Sequence, residues 1–169
     1  SVLANHTKNA AKRNADRIAG ETAPQRLART ALREYLAGGG EINVPAGTNT
    51  NLCERSGGVF VFIKIGGELI GSHGSVKATQ PNLAAEIIAH TVGAAKSLRT
   101  APLNQGETDD LSFTVDFLSE PEAITDLALL DHRKYGVIVE NHGKTGVLPP
   151  DFPGIGSVDE QLRAAKENA

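Results

Sequence analysis

The sequence predicts an α+β fold: a largely antiparallel sheet, built from two hairpins and an extra strand, packed against two or three helices. Apolar strands flank Gly66-Gly67, and a second pair of strands flanks the polar residues 141–144. Glycine and asparagine adopt the positive φ of tight hairpin turns, so both segments are typical of β-hairpins. Segments with apolar residues at helical spacing separate the hairpins, which indicates helices interleaved with the strands.

The N-terminal segment, residues 1–21, is predicted to be an extension or linker that precedes a single domain of residues 22–169. The charged residues within its first twenty positions are mainly basic: Lys8, Lys12, Arg13, Asp16 and Arg17. The apolar stripe is thin and consists largely of alanine, so a solvated helix would bury little there. A basic arm that binds nucleic acid is the alternative, and the solvated segment is the preferred interpretation.

The next helix is predicted from Thr22 to about Leu36. Thr22 is suited to the N-cap and Pro24 to the first turn. Apolar residues then recur at i, i+3 and i+4 until a run of three glycines at residues 38–40 ends the pattern. Residues 41–57 mix turn formers with isolated apolar side chains, and we interpret them as a long loop.

The first hairpin joins a buried strand to a polar one. Val59–Ile65 is apolar almost throughout, which predicts a central strand with Phe60 and Phe62 largely buried on one face. The returning strand instead contains the sequence Gly71-Ser72-His73-Gly74. Two missing Cβ atoms allow a ligand or another backbone to approach closely, so we place the candidate functional site on this strand.

The second half of the chain contributes four predicted elements: a helix over residues 79–98, a strand over 111–117, a hairpin over 135–148 and a last helix. The first helix has a wide apolar face. Apolar and polar side chains alternate along the strand, which predicts that one of its faces is exposed to solvent. Asn141 and Gly143 are suited to the hairpin turn. Ser157 and Glu160 form a capping box that opens the last helix.

Composition excludes several functions. The chain has 169 residues, a net charge of −3 and no Trp, which argues against nucleic-acid binding through a basic face or a stacking platform. One cysteine, Cys53, excludes an internal disulfide and indicates a reducing, cytoplasmic location. No apolar run approaches the ~20 residues of a membrane span, so no membrane association is expected.

Ser72 and His73 suggest a nucleophile and its base, but strand geometry separates them. Neighbouring residues on a strand project to opposite faces, so Ser72 would need His90 or His142 from elsewhere in the chain. We therefore favour a structural role for the small residues of this strand over nucleophilic catalysis. The catalytic residues, if the chain has any, stay unassigned.

The five histidines lack metal-ligand spacing, so neither a metal site nor a cofactor is predicted. His90 lies beside the apolar stripe of its helix, where it is either half-buried or directed into a cleft. Arg99, at the exit of that helix, is a candidate for anion binding, with a solvated loop arginine as the equal alternative. The candidate ligand or partner site therefore comprises Gly71, Ser72, His73, Gly74, His90 and Arg99.

The hairpin reads G-V-F-V-F-I-K-I-G-G-E-L-I-G-S-H-G. It resembles the signature of the AMMECR-type domain family, G-x-F-V-T-L-x-x-x-G-x-L-R-G-C-I-G, and residues 79–88, 135–140 and 148–162 follow in the family's order. The similarity extends from about Thr22 to the C-terminus, and the group it resembles most is called AmmeMemoRadiSam system protein A. It implies a compact α+β domain, here without the family's final strand, that is associated with a Memo-type protein and a radical-SAM protein.

The chain departs from the family's motif at the candidate site. Gly71 and Gly74 match the motif glycines, whereas three positions differ: Ile70 replaces an arginine, Ser72 a cysteine and His73 a small apolar residue. Arg99 falls in the family's D-P-R-F-P-P segment, whose aspartate is missing here. The resemblance therefore carries no cysteine nucleophile over to this chain.

Two functions remain open from the sequence. The first is a binding or accessory subunit that works with a Memo-type or radical-SAM enzyme, favoured by the substituted cysteine and arginine. The second is a small-molecule enzyme with a cleft around Gly71-Ser72-His73-Gly74, also lined by His90 and Arg99. An enclosed pocket with converging polar side chains favours the enzyme, and a flat apolar patch favours the partner surface.

Overall fold

The structure is a computed structural model that describes residues 2–98 and 103–169, with the side chains of residues 2–7 and 105 left aside. It divides into two compact units, Ser1–Ser119 and Glu120–Ala169. The α+β class with antiparallel strands is confirmed. The domain boundary after residue 21 and the absence of a final strand stay predictions.

The described residues of the first unit form four α-helices and three strands in an order close to the predicted one. In chain order they are α1 (Val2–Ala19), α2 (Ala23–Glu34), α3 (Thr50–Glu54), β1 (Gly58–Ile65), β2 (Glu68–Ser75), α4 (Leu83–Lys96) and β3 (Leu111–Leu118). A π-helical turn, Tyr35–Gly39, follows α2, and a 3-10 helix, Gln105–Asp110, precedes β3.

The three strands of this unit pair in the order β2-β1-β3, with both neighbours antiparallel to β1. The central position predicted for Val59–Ile65 is therefore confirmed. Gly66 and Gly67 have φ angles of 56° and 85°, which are those of a primed hairpin turn. A register shift between Ile63 and Lys64 marks a β-bulge in the pairing with β2.

Helices α2 and α4 cover one face of this sheet. Val61 and Ile63 point toward them and are fully buried, together with Leu32 of α2 and Ile87 of α4. The opposite face contains Phe60 and Phe62, whose rings stack 6.3 Å apart. Phe62 is buried as predicted, whereas Phe60 is half-buried and not largely buried as the sequence indicated.

The N-terminal segment forms a helix, and no described side chain between Lys8 and Ala19 is buried. The thin alanine stripe explains this, because it offers little apolar surface to pack. Two polar side chains nevertheless hold the helix. Arg17 donates to the backbone oxygens of Asp109 and Leu111, and Asn14 Nδ2 donates to Asp110 Oδ1 at 2.6 Å.

The second unit is a hairpin packed on the last helix. It consists of β4 (Val137–Asn141), β5 (Lys144–Leu148) and α5 (Val158–Glu167), preceded by a 3-10 turn, Leu127–Leu129. Val137, Leu148 and Ala165 form the buried part of its core. Ser157 caps α5 by accepting from the backbone N–H of Glu160, while the Glu160 carboxylate accepts from Gly156 instead of Ser157.

The structure corrects the sequence analysis on three points. The two hairpins belong to separate sheets, one of three strands and one of two, because each hairpin buries one face against its own helix. The turn of the second hairpin is occupied by His142 and Gly143, at φ 48° and 80°, while Asn141 ends the strand. The predicted loop 41–57 contains the short helix α3, whose N-cap Asn49 accepts from the N–H of Asn51.

Candidate functional site

Strand β2 lies unusually close to helix α4, and two glycines permit this. A Cβ at Gly71 would come within 2.6 Å of the backbone oxygen of Ala94. A Cβ at Gly93 would come within 2.5 Å of the imidazole ring of His73. Both distances are shorter than side chains tolerate, so the missing Cβ atoms create a seam between β2 and α4 in which the ring of His73 rests on the helix.

Gly74 makes a close approach on the other face of the sheet. A Cβ there would come within 2.3 Å of the ring of Phe60, its cross-strand partner. The missing side chain therefore leaves space for an aromatic ring over β2. This is a packing role, of the kind that the sequence analysis favoured for the small residues of this strand.

Ser72 and His73 project to opposite faces of the sheet. In the pairing register Ser72 lies opposite Phe62, and His73 lies opposite Val61. His73 therefore faces α4, and Ser72 faces the side that carries the aromatic rings. Ser97, at the end of α4, donates from its hydroxyl to the backbone oxygen of Ser72 at 2.9 Å, which ties the helix end to the strand.

The structure brings His73 and His90, which the sequence analysis assigned to one candidate site, into direct contact. Their Nδ1 atoms lie 2.9 Å apart, and their ring centroids are separated by 5.1 Å. This distance is that of a hydrogen bond between two ring nitrogens. His73 is exposed, whereas His90 is only 4% exposed, so the pair connects the surface with the interior.

Glu86 extends this pair into the core. Its carboxylate is fully buried and lies one helical turn before His90, with Oε2 at 2.8 Å from Nε2 of His90. The contact is close without being an aligned hydrogen bond. The carboxylate also accepts from the backbone N–H groups of Thr79 and Gln80 and from the hydroxyl of Thr79, which satisfies a buried charge.

The residues Glu86, His90 and His73, which we call the β2–α4 relay, have a defined electrostatic state. Burial lowers the pKa of His90 below its ordinary value of 6.5, while the Glu86 carboxylate opposes this effect and His73 adds to it. Glu41 contributes a weaker opposing effect. His90 is therefore neutral at neutral pH, with one nitrogen free to accept a hydrogen bond.

The lowered pKa of His90 predicts a pH dependence of stability. The folded state binds this proton more weakly than the unfolded chain, so unfolding takes up a proton in acid and stability falls as the pH drops below about 6.5. We expect the thermal midpoint to decrease more steeply between about pH 7.5 and 5.5 in the wild type than in His90→Gln. Equal slopes for the two proteins would contradict this assignment.

Comparison with known proteins identifies the family. A profile of the AMMECR1 family matches residues 25–169. The chain belongs to the AMMECR1 family. An AMMECR1 relative from Thermotoga maritima is 39% identical over 140 residues, which cover 82% of this chain and 80% of that protein. A relative from Clostridium acetobutylicum is 38% identical over 146 residues, which cover 85% of this chain but only 31% of that protein.

A solved structure confirms the fold of this AMMECR1 chain. The crystal structure of an uncharacterised protein from Pyrococcus horikoshii matches with a TM-score of 0.68 at 31% sequence identity. The match covers 77% of this chain and 68% of that one. The Pyrococcus horikoshii protein is itself uncharacterised, so the function of this AMMECR1 chain has to be argued from its own residues.

The remaining candidate residues are distributed as follows. Arg99 lies outside the described residues, and His142 is exposed in the turn of the second unit. In the parts of the chain that the structure describes, no group of three or more His, Cys, Asp or Glu residues is arranged to hold a metal ion. Within the same residues, no helix is long and apolar enough to cross a membrane.

Two members of the site were missed by the sequence analysis. Glu86 was not singled out, although its i, i+4 spacing to His90 on a predicted helix was a usable signal. Gly93 was not assigned to the site either, because its packing partner could not be deduced from the sequence. The contact of β2 with α4 is a tertiary feature, and only that contact brings His73 over Gly93.

Proposed function

We propose that this member of the AMMECR1 family is a binding or accessory subunit of the AmmeMemoRadiSam group, working in the cytosol with a Memo-type or radical-SAM enzyme. The observation that supports this most directly is the separation of Ser72 from His73 across the sheet. His90, one of the two other candidate bases, contacts His73 through its Nδ1 atom. Among the residues that the structure describes, no hydrogen bond joins the Ser72 hydroxyl to a basic side chain, and a hydroxyl without such a base is a poor nucleophile for acyl transfer.

We place the exposed ring of His73 at the centre of the partner surface. Its Nδ1 contact with His90 and its packing against Gly93 hold the ring in one orientation. A side chain that is already ordered loses little conformational entropy when a partner binds, which favours it as an anchor. Aromatic and planar side chains contribute strongly to the binding free energy at interfaces partly because they lose little conformational entropy on binding.

Replacement of His73 by alanine is expected to weaken partner binding by about tenfold or more, because it removes a preorganised contact worth more than ~1 kcal/mol. Ser72→Ala, on the opposite face, should change the affinity by less than about fivefold, the worth of one hydrogen bond. Both variants are titrated calorimetrically against the purified Memo-type and radical-SAM proteins of the same organism. Equal effects of the two substitutions would contradict the placement of the surface.

Two further outcomes would overturn the accessory role. If neither protein binds the wild-type chain at micromolar concentrations, both proposed partners are ruled out. Stoichiometric labelling of Ser72 by a fluorophosphonate would show an activated serine and would move an enzymatic function to first place. The labelling reaction is run on the wild type, with Ser72→Ala as the control for other serines.

A small-molecule enzyme with its site at Gly71-Ser72-His73-Gly74 is the second candidate function. The observation that favours it is the β2–α4 relay, since a buried carboxylate behind two histidines is more than a contact surface requires. Perturbed titratable groups near a surface are a general indication of a functional site. Turnover of a small molecule by the chain without any partner would decide for this candidate.

A further inference from the structure

The β2–α4 relay fixes which nitrogen of each imidazole carries a hydrogen. An ionised carboxylate only accepts hydrogen bonds. The Nε2 atom of His90, 2.8 Å from Oε2 of Glu86, must therefore carry a hydrogen, because two lone pairs at that distance would repel each other. The lone pair of neutral His90 is consequently on Nδ1.

The same reasoning extends to His73. Its Nδ1 atom lies 2.9 Å from Nδ1 of His90 and has to donate its hydrogen to that lone pair. The lone pair of neutral His73 is then on Nε2, across the ring from His90. Because His73 is exposed, the relay presents a basic nitrogen at the surface and backs it with a buried carboxylate.

We propose that His73 is a general base whose Nε2 atom takes a proton from a ligand that carries an O–H or S–H group, with His90 and Glu86 as positioning residues. The O–H or S–H bond breaks, its electron pair stays on oxygen or sulfur, and the proton joins Nε2 of His73. The hydrogen on Nδ1 of His73 stays in its hydrogen bond to Nδ1 of His90. The resulting positive charge is on the exposed ring of His73, and His90 stays neutral beside the Glu86 carboxylate.

Two independent features support this assignment. Burial lowers the pKa of His90, against the opposing effects of Glu86 and of Glu41 from the segment after α2, which keeps Nδ1 unprotonated and ready to accept. Gly93 supplies the second feature, since its missing Cβ provides the space in which the ring of His73 reaches His90. The contact between His73 and His90 thus depends on the glycine at position 93.

The proposal concerns the isolated chain and goes beyond partner binding. The general-base role of His73 does not require a Memo-type protein to bind. Partner binding, in turn, does not require His73 to act as a base. The experiments below use the chain alone, so that failure of one proposal is distinguishable from failure of the other.

The first experiment measures the reactivity of His73 toward diethyl pyrocarbonate near neutral pH, with each histidine followed by peptide mass spectrometry. The Nε2 atom attacks a carbonyl carbon, ethyl carbonate leaves, and the acylated ring then loses its Nδ1 hydrogen to the solvent. His142 is exposed on a turn and serves as the reference inside the same molecule. We expect His73 to react about two- to tenfold faster than His142, the factor that one hydrogen bond supplies. A rate at or below that of His142 overturns the proposal.

The second experiment separates the relay from simple exposure. In Gly93→Ala the new Cβ would lie 2.5 Å from the ring of His73, which has to turn away from His90. Alanine is the better helix former, so we expect the variant to fold. Gly106→Ala is the matched control, because a Cβ there meets no atom within 4 Å. The excess reactivity of His73 should disappear in Gly93→Ala and persist in Gly106→Ala, and its persistence in both overturns the proposal.

The third experiment reads the tautomers directly. Nitrogen-15 spectra of the wild type should show His73 with its hydrogen on Nδ1 and His90 with its hydrogen on Nε2. In Gly93→Ala the hydrogen of His73 should shift toward Nε2, while His90 keeps its tautomer beside Glu86. A wild-type His73 with its hydrogen on Nε2 would overturn the relay even if the ring reacts rapidly.

Discussion

Replacement of Arg29 by alanine is expected to lower the free energy of unfolding by about 3–5 kcal/mol, because it leaves the Glu21 carboxylate buried without its partner. The side chains of Arg29 and Glu21 are 3% and 5% exposed. Arg29 Nε donates to Oε2 of Glu21 at 3.0 Å and Nη2 donates to Oε1, so the ion pair is bidentate. Chemical denaturation of wild type and variant at neutral pH measures the loss.

Arg29 contributes more than its charge. It donates to the backbone oxygens of Thr108 and Leu111, and its guanidinium lies 5.1 Å from the ring centroid of Phe113. The residue therefore joins α2 to the start of β3 and to the turn that precedes it. Loss of these hydrogen bonds to the two carbonyl oxygens adds to the cost of the substitution.

Arg33→Ala is the matched control for Arg29→Ala. Arg33 lies one turn later on α2 and pairs with Asp109 at 2.7 Å, but the two side chains are 47% and 60% exposed. Exposed ion pairs contribute about 0–1 kcal/mol, since water already solvates both charges. A loss for Arg33→Ala as large as that for Arg29→Ala would show that burial does not govern these two pairs.

The local elements were predictable because their signals lie within a few residues of each other. Gly66-Gly67 at the first turn and Ser157 before the last helix act through neighbouring backbone groups. The apolar run of β1 predicted its central place for the same reason, because residues 59–63 offer no polar side chain to a solvent-exposed face. These features depend little on how the rest of the chain packs.

The division of strands into two sheets was not predictable from the same signals. Two hairpins of similar form can pair along their edges or pack separately, and the alternation of side chains is compatible with both. The outcome depends on the helices: α4 packs on β1 and β2, and α5 packs on β4 and β5. Which helix covers which hairpin is decided by long-range packing that no local pattern records.

The candidate site shows the same contrast. The sequence analysis selected the strand Gly71-Ser72-His73-Gly74 and His90, and the alternation rule correctly separated Ser72 from His73. It did not predict that His73 and His90 meet, because they are 17 residues apart on different elements. Their contact follows from the close approach of β2 to α4 at Gly71 and Gly93, which is a property of the tertiary structure.

Replacement of Phe62 by alanine is expected to lower the free energy of unfolding by about 3–5 kcal/mol, through lost burial and a cavity that the surroundings fill only partly. Phe62 is 4% exposed on the central strand, with paired strands on both sides. Its ring stacks on that of Phe60, so the substitution also removes an aromatic contact. The measurement is the thermal midpoint together with a urea titration, which gives the change directly.

Phe117→Ala provides the control, because it makes the same chemical change on the edge strand β3. Phe117 is 42% exposed, and substitutions at exposed positions usually change stability by about 0.5 kcal/mol or less. Part of the Phe117 ring is covered, so we expect a loss below ~1 kcal/mol for this variant. A midpoint that Phe62→Ala leaves unchanged, or moves no further than Phe117→Ala does, would show that the central strand does not carry the core in the way its burial indicates.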